Sequence, residues 1–410
     1  MKRVLVLIMC LATVMSAFYG CKEVPTTLDS EFELETEKDT DTGKTSDAEE
    51  VKLSSVSIGG ADISEYRIVY ATASSREQCF EDIKIAAEML KVELKDMLGV
   101  ELVVVPDTET KTDREIILGV AFRAECIRYS SGDTALKPDQ YYIAMSGKNL
   151  LLGADCLAGV VDACEVFIEH LKGEAVKGNA NVDITGDFDI SGEKHITRIA
   201  CVGDSITQGV DASDEIKESY PAVLQNTLGY EYDVVNYGKG GTTMSSYSLE
   251  IYKSRSYIDK STYYDTLIKT APKLDVVIIM LGSNDAAGSV ESTELFTKNY
   301  DAFKMDFTIN LTKMVKDLRK ANDDIKIIYF STTKCHPENS TREQNLVKYV
   351  RPLQKQLCED LKLDFYDMYQ YTAKNMTASE YEDGLHPLSV GYKKMGIEAA
   401  RVLKDKYGFQ

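Results

Sequence analysis

Four β-rich runs between residues 196 and 330 lack apolar–polar alternation: 196–202, 232–235, 275–281 and 325–330. Strands covered on both faces read this way, and that arrangement belongs to parallel sheets with helices on each side. Helical stretches separate the runs, at 220–228, 300–320 and 345–361, and a final one at 389–406 closes the chain. In the second stretch, Tyr300, Phe303, Phe307, Leu311, Met314 and Leu318 recur at helical spacing and mark one apolar face. The pattern predicts a three-layer, doubly wound parallel α/β domain over 193–410, with ligands bound beyond the carboxyl ends of its strands.

Residues 53–192 follow a different rhythm and are expected to form a smaller α/β accessory domain. Phe80, Ile83, Ala87, Leu90, Leu94 and Leu98 predict a helix that Gly99 ends. Short strands are expected at 102–105, 116–118, 141–145 and 150–152. A second helix carries Val160, Cys164, Phe167 and Leu171 and is expected to stop at Gly173. The sum is a mixed sheet with two helices on one side and no cluster of catalytic residue types. The strand around Tyr141–Ile143, the Leu150–Gly153 strand and the Gly159…Phe167…Leu171 helix resemble the non-catalytic N-terminal α/β module of hexosaminidase- and glucuronidase-type glycoside hydrolases. That resemblance implies a setting in carbohydrate processing.

The chain begins with Lys2 and Arg3, an apolar run to Phe18, then Tyr19-Gly20-Cys21. The run is too short for a comfortable membrane span of about 20 residues. It suits a signal peptide over 1–20, and the protein is expected to be exported. Gly20 before Cys21 resembles the lipobox of bacterial lipoproteins. It implies lipid attachment at Cys21 and a membrane-anchored, cell-surface protein; cleavage nearby without lipid would give a secreted one. Residues 21–52 hold eleven acids and four lysines, a balance of −7 within a whole-chain charge of −19. Six Thr and almost no aromatics leave nothing to build a core, so this segment is expected to be an acidic, disordered tether.

Polar clusters fall where the carboxyl ends of the C-terminal strands are expected. Gly203-Asp204-Ser205-Ile206-Thr207 follows the first strand and puts Ser205 on a turn into a helix, where its hydroxyl is exposed. Thr207 stands where the G-x-S-x-G elbow has its second glycine, so that motif is absent. Asn236-Tyr237-Gly238-Lys239-Gly240-Gly241 follows the second strand. Its glycines allow a backbone N–H to approach an anion, and the G-x-x-x-x-G-K-[ST] phosphate loop is not there. Gly282-Ser283-Asn284-Asp285 follows the third strand and offers the Asn284 amide to a developing oxyanion. Asp383-Gly384-Leu385-His386-Pro387 precedes the last helix, with a carboxylate spaced to fix one tautomer of a basic imidazole.

Taken in order, Ser, Gly, Asn and Asp–His at successive strand ends resemble the SGNH (GDSL) hydrolase family from about Ile196 to Gln410. The resemblance implies Ser205 as nucleophile, with His386 and Asp383 as its acid–base pair. It implies an oxyanion hole of the Ser205 N–H, the Gly241 N–H and the Asn284 side chain, and it requires no metal or cofactor. Gly203-Asp204-Ser205-Ile206-Thr207-Gln208-Gly209 with Tyr220-Pro221 looks like the carbohydrate-esterase side of the family. The expected activity is therefore O-deacetylation of a polysaccharide or glycan through an acyl-enzyme, the partner being a carbohydrate or small ester. The rival readings are a lysophospholipase or thioesterase of the same fold, or a non-catalytic surface carbohydrate-binding lipoprotein. Tyr-rich 247–264 is a candidate sugar-stacking surface, although burial is the commoner role for any one Tyr.

Composition closes other routes. Against 47 Lys and Arg stand 66 Asp and Glu, so the chain lacks the basic surface that nucleic-acid binding needs. Nine Cys without a C-x-x-C pair do not make a disulfide scaffold. Cys201 is expected in the core, Cys156 and Cys164 straddle a turn, and adjacent Cys335-His336 is poorly placed for a catalytic pair. His170 and His195 read as surface or boundary residues.

Overall fold

In the computed structural model the described residues are 53–72, 83–127, 136–137, 139–246, 256–260, 262–287 and 299–409. The expected signal segment, the tether with Cys21, and Phe80 lie outside them. No helix among the described residues is long and apolar enough to cross a membrane.

The N-terminal part is built on β1 (Ser55–Ile58), β2 (Ala61–Asp62), β3 (Arg67–Tyr70), helix α1 (Lys84–Leu98), β4 (Val104–Pro106), β5 (Glu115–Leu118), β6 (Gln140–Ser146), β7 (Asn149–Ala154), helix α2 (Leu157–Val176), β8 (Asn181–Ile184) and β9 (Asp189–Glu193). Six strands form a mixed sheet in the order β4-β3-β5-β7-β6-β9, and β2-β1-β8 form a second, small sheet. The apolar residues of α1, α2 and the six-stranded sheet bury one another in a single cluster that includes Leu90, Leu94, Phe167 and Leu171. Helix α1 ends at Gly99 as expected, in the left-handed region at φ 72°. Helix α2 does not stop at Gly173. A glycine inside a helix costs about 1 kcal/mol without breaking it, and the chain turns instead at Gly178, at φ 88°. Strands β1, β2, β3, β8 and β9 had no clear sequence signature; the longest of them has five residues.

The C-terminal part contains β10 (Thr197–Gly203), α3 (Ser205–Gln208), α4 (Tyr220–Leu228), β11 (Tyr232–Gly238), β12 (Val276–Met280), α5 (Tyr300–Ala321), β13 (Lys326–Phe330), α6 (Arg351–Leu361), β14 (Asp364–Tyr366) and α7 (Ser389–Tyr407). The strands form one parallel sheet in the order β11-β10-β12-β13-β14. Its two faces are divided residue by residue. Ala200, Val202, Val277 and Ile279 pack with α5 and α6, whereas Ile199, Cys201, Val276 and Ile278 pack with α4 and α7. That is the three-layer architecture the unalternated strands predict, because both members of each alternating pair are apolar. On α5, Phe303, Phe307, Leu311, Met314 and Leu318 are buried. The helix expected at 345–361 starts earlier, at Thr341, and passes through a π turn at Leu346–Val350 before α6. Pro352 explains the change of pitch: it has no N–H to give the turn before it and crowds the carbonyl four residues back.

Arg198 links the two parts. It lies in β10, is buried, and pairs with Asp139 and Asp155 from the N-terminal part and with Asp233 of β11. His195 reaches Asp275 at 3.1 Å.

Candidate active site

With strand order 2-1-3-4-5, the first strand, β10, is central, and the chain leaves it toward opposite edges of the sheet. Ligands of such sheets bind at that switch point, beyond the carboxyl ends. Three of the four sequence clusters follow β10, β11 and β12 directly, and the fourth precedes α7, which covers one face of the sheet.

Ser205 is the first residue of α3. The side chain of Asp204 caps the helix by accepting the Ile206 N–H at 3.0 Å. The Ser205 N–H belongs to the first turn, where no intrahelical acceptor exists. The short helix sits directly on the strand ends because Gly203 and its register partner Gly238 have no side chains. A Cβ at Gly203 would strike the buried Thr207, and one at Gly238 would strike the backbone of Thr207 and Gln208. Thr207, in place of an elbow glycine, is thus a packing residue under Ser205.

His386 points at Ser205: its Nε2 lies 2.8 Å from Ser205 Oγ. Its Nδ1 lies 2.9 Å from Oδ2 of Asp383, whose other oxygen accepts the N–H groups of Leu385 and His386 at 2.9 and 2.8 Å. Partial burial acts to raise the Asp383 carboxyl, but the two backbone N–H groups and the imidazole outweigh it and hold it below the usual carboxylate range. The carboxylate is therefore ionised at neutral pH and stabilises the tautomer with hydrogen on Nδ1.

Beside Ser205 lies the loop after β11, where a Cβ added at Gly240 would come within 3.8 Å of Ser205 Cβ. Gly241 has φ 76°, and no acceptor among the described residues takes its N–H. The neighbouring Gly240 N–H is held by Oε1 of Gln208 at 2.8 Å, and Asn236 donates to the Thr207 carbonyl at 2.9 Å. Asn284 uses its side-chain nitrogen to donate to the Thr242 carbonyl at 3.0 Å, which leaves a second amide hydrogen for a ligand. The structure thus brings Ser205, His386 and Asp383 into one hydrogen-bonded chain, and places Gly241 and Asn284 on adjoining loops after the next two strands.

Other residues at the site carried no role in the sequence reading. Burial raises Asp204 to about 6, against the Ile206 N–H, Arg342 and His386, which lower it. Burial likewise raises Asp285 to about 7, although its carboxylate accepts the N–H groups of Met244 and Ser245 at 2.9 and 2.8 Å. Both lie inside motifs already singled out, so position beside Ser205 and Asn284 was the available signal. Asp211 is a third surprise: Oδ2 lies 3.4 Å from Nδ1 of His386. With Asp383 and His386 it completes a set of three ligand-type atoms within 4.8 Å of one another, the imidazole member of which already serves the Ser–His–Asp chain.

Cysteines and tyrosines sort as packing groups. Cys126, Cys156, Cys164, Cys201, Cys335 and Cys358 are buried. Of the tyrosine-rich segment, 247–255 lies outside the described residues, and Tyr257 and Tyr264 are buried. His170 stacks edge-on against Phe188 at 5.1 Å.

Residues 201–394 match the family described as GDSL-like Lipase/Acylhydrolase. A curated relative, the acetylxylan esterase of Xylanibacter ruminicola, is 27% identical over 225 residues, covering 50% of this chain and 43% of its own. The chain thus matches less than half the length of that relative. Among solved structures, a carbohydrate acetylesterase family member from Sinorhizobium meliloti is similar at 21% identity and TM-score 0.39, covering 52% of this chain and 100% of its own. An acetylxylan esterase from Geobacillus stearothermophilus is similar at 20% identity and TM-score 0.38, covering 53% of this chain and 98% of its own. All five residues placed at the site fall within the matched span, and the C-terminal half of this chain is a domain of the GDSL-like lipase/acylhydrolase family.

Proposed function

We propose that this chain is an exported serine esterase that removes acetyl groups from carbohydrate. The observation that carries the reading is the continuous chain from Ser205 Oγ to His386 Nε2 at 2.8 Å and from His386 Nδ1 to Asp383 at 2.9 Å. In this reading His386 takes the hydroxyl proton as Ser205 attacks the ester carbonyl. The oxyanion is received by the N–H groups of Ser205 and Gly241 and the free amide hydrogen of Asn284. Collapse expels the sugar hydroxyl, which takes the proton back from His386. Water then attacks the acetyl-serine, its proton passing to His386, which returns it to Ser205 Oγ as that oxygen is expelled, and acetate leaves. Asp383 holds the imidazole orientation and balances its charge.

The acetyl and carbohydrate parts rest on the acetylxylan esterase likeness and on the Gly203–Gly209 motif. Residues 53–192 act in this reading as an accessory domain. Residues 1–20 direct export, and 21–52 tether the protein to a membrane through lipid on Cys21.

Hydrolysis of p-nitrophenyl acetate by the wild type and by Ser205→Ala tests the catalytic assignment; equal rates refute it. Acetate released from acetylated xylan, with no fatty acid released from lysolipid, supports the substrate class, and the reverse favours a lysophospholipase. The mass of the N-terminal peptide reads the anchor directly, because an unmodified Cys21 rules it out.

A further inference from the structure

The imidazole of His386 faces two carboxylates on its Nδ1 side. Asp383 takes the hydrogen bond at 2.9 Å, and Oδ2 of Asp211 stands 3.4 Å from the same nitrogen. Asp211 comes from the other end of the domain's chain, on the turn that leaves α3, so no local pattern pairs it with His386.

Two hydrogen bonds hold it there. Its backbone sits in the left-handed region at φ 69°, which costs about 1–2 kcal/mol in a residue other than glycine, and less in Asp or Asn. Such strain persists only where the surroundings impose it. The turn is fastened on both sides of Asp211 to the helix that follows His386. Before it, Tyr392 donates to the Val210 carbonyl at 2.8 Å; after it, the Ser213 N–H donates to Ser389 Oγ at 3.0 Å. The Asp211 side chain is one-third exposed and that of His386 one-sixth, so water screens the pair only in part.

We propose that Asp211 is a second carboxylate for the His386 imidazolium, a positioning residue that shares with Asp383 the task of holding the ring and its charge. This rests on Ser205 and His386 being the catalytic pair. With Asp383 present, its shorter and better directed bond dominates. When Asp383 is neutralised, a small rotation of the ring brings Nδ1–H onto Asp211.

The test is a double-mutant cycle on p-nitrophenyl acetate hydrolysis, using Asp211→Asn, Asp383→Asn and the double variant, with Ser205→Ala as the blank. Asparagine keeps the shape of Asp211 and tolerates the left-handed backbone, so folding is preserved. Asp211→Gly serves as a second variant that releases the strain outright. Losing the sole carboxylate of such a triad lowers kcat by about 10⁴. Here Asp383→Asn alone is expected to lose only about 10²-fold, and the double variant about 10⁴-fold. Asp211→Asn alone is expected to lose a few-fold at most.

A second readout separates charge from packing. The charged groups around the ring are Asp383, Asp211 and the buried Asp204, with Arg342 near Asp204. Removing the Asp211 charge is expected to move the acid limb of the kcat/KM profile to lower pH. The proposal is overturned if Asp211→Asn has the same small effect with and without Asp383 and leaves the pH profile unmoved. Activity remaining in Ser205→Ala would instead defeat the catalytic reading itself.

Discussion

Asn284 donates its side-chain amide to the carbonyl of Thr242 at 3.0 Å, and Thr242 follows Gly241 in the chain. One hydrogen bond therefore ties the loop after β12 to the loop after β11 and, in the proposed mechanism, sets two oxyanion donors relative to one another. Donors fixed in advance cost no reorganisation when charge develops, which is the source of their catalytic value.

Replacing Asn284 by Ala removes a donor and the strut together. The expected result is a fall in kcat of about 10²–10³ with KM changed little, because the ground-state ester makes weak use of the oxyanion hole. Steady-state kinetics on p-nitrophenyl acetate check this, and an unchanged kcat would contradict the assignment.

The Asp383–His386 loop turns at Gly384, where φ is 81° and an added Cβ would run into the His336 carbonyl. That close approach exists because His336 donates its N–H to the Gly384 carbonyl at 2.7 Å. Gly384→Ala is expected to lower the melting temperature through a cost of about 1–2 kcal/mol in backbone strain alone. It should also cost about 10²-fold in kcat, because a shift of about 1 Å misplaces the imidazole. Wild-type melting and turnover would show that the loop is not held in this way.

Asp285 supplies a pH-dependent term to stability. Burial raises its folded value to about 7 from the usual 3.8. Between those values the folded state binds more protons than the unfolded chain, so stability is lost as pH rises from about 4 to about 7. Asp285→Ala leaves the Met244 and Ser245 N–H groups unpaired at a cost of about 1–3 kcal/mol, but it removes the titration. The gap in melting temperature between wild type and variant is expected to be widest near pH 4, to shrink steadily as pH rises to about 7, and to stay narrow at pH 8. A gap that widens instead would mean the carboxylate is comfortably ionised.

Burial also governs the thiols. It raises Cys126 to about 11 and Cys201, Cys335 and Cys358 to about 12. The reactive form is the thiolate. In the folded protein at pH 8, iodoacetamide followed by peptide mapping should leave these four unlabelled, and guanidinium should expose all of them. Rapid labelling of Cys201 in the native state would be incompatible with its place in the core.

Much of the C-terminal fold was legible because burial on both faces writes itself into composition. Strand β12 is wholly apolar, β10 and β13 are so after their first one or two residues, and the helix Tyr220–Leu228 falls where its pattern predicts. The small polar clusters were legible for a related reason: a buried parallel sheet confines ligand chemistry to the loops at one end, so unusual residues there stand out. β14 was not legible, since three half-buried residues carry no periodicity. Gly173 misled because a glycine stops a helix only when the following chain has somewhere to turn.

By itself the sequence determined the layered sheet, the order of the strand-end clusters and the identities of Ser205, Gly241, Asn284, Asp383 and His386 as candidates. Only the tertiary structure decided that 2.8 Å separates Ser205 from a residue 181 positions away, that Asp211 stands second on the same imidazole, and that Asp204 and Asp285 lie deep enough to titrate near neutrality. Local pattern reports which faces of an element are apolar. Distance between loops and the depth of a carboxylate are properties of the packed sheet, set where strands and helices from remote parts of the chain meet.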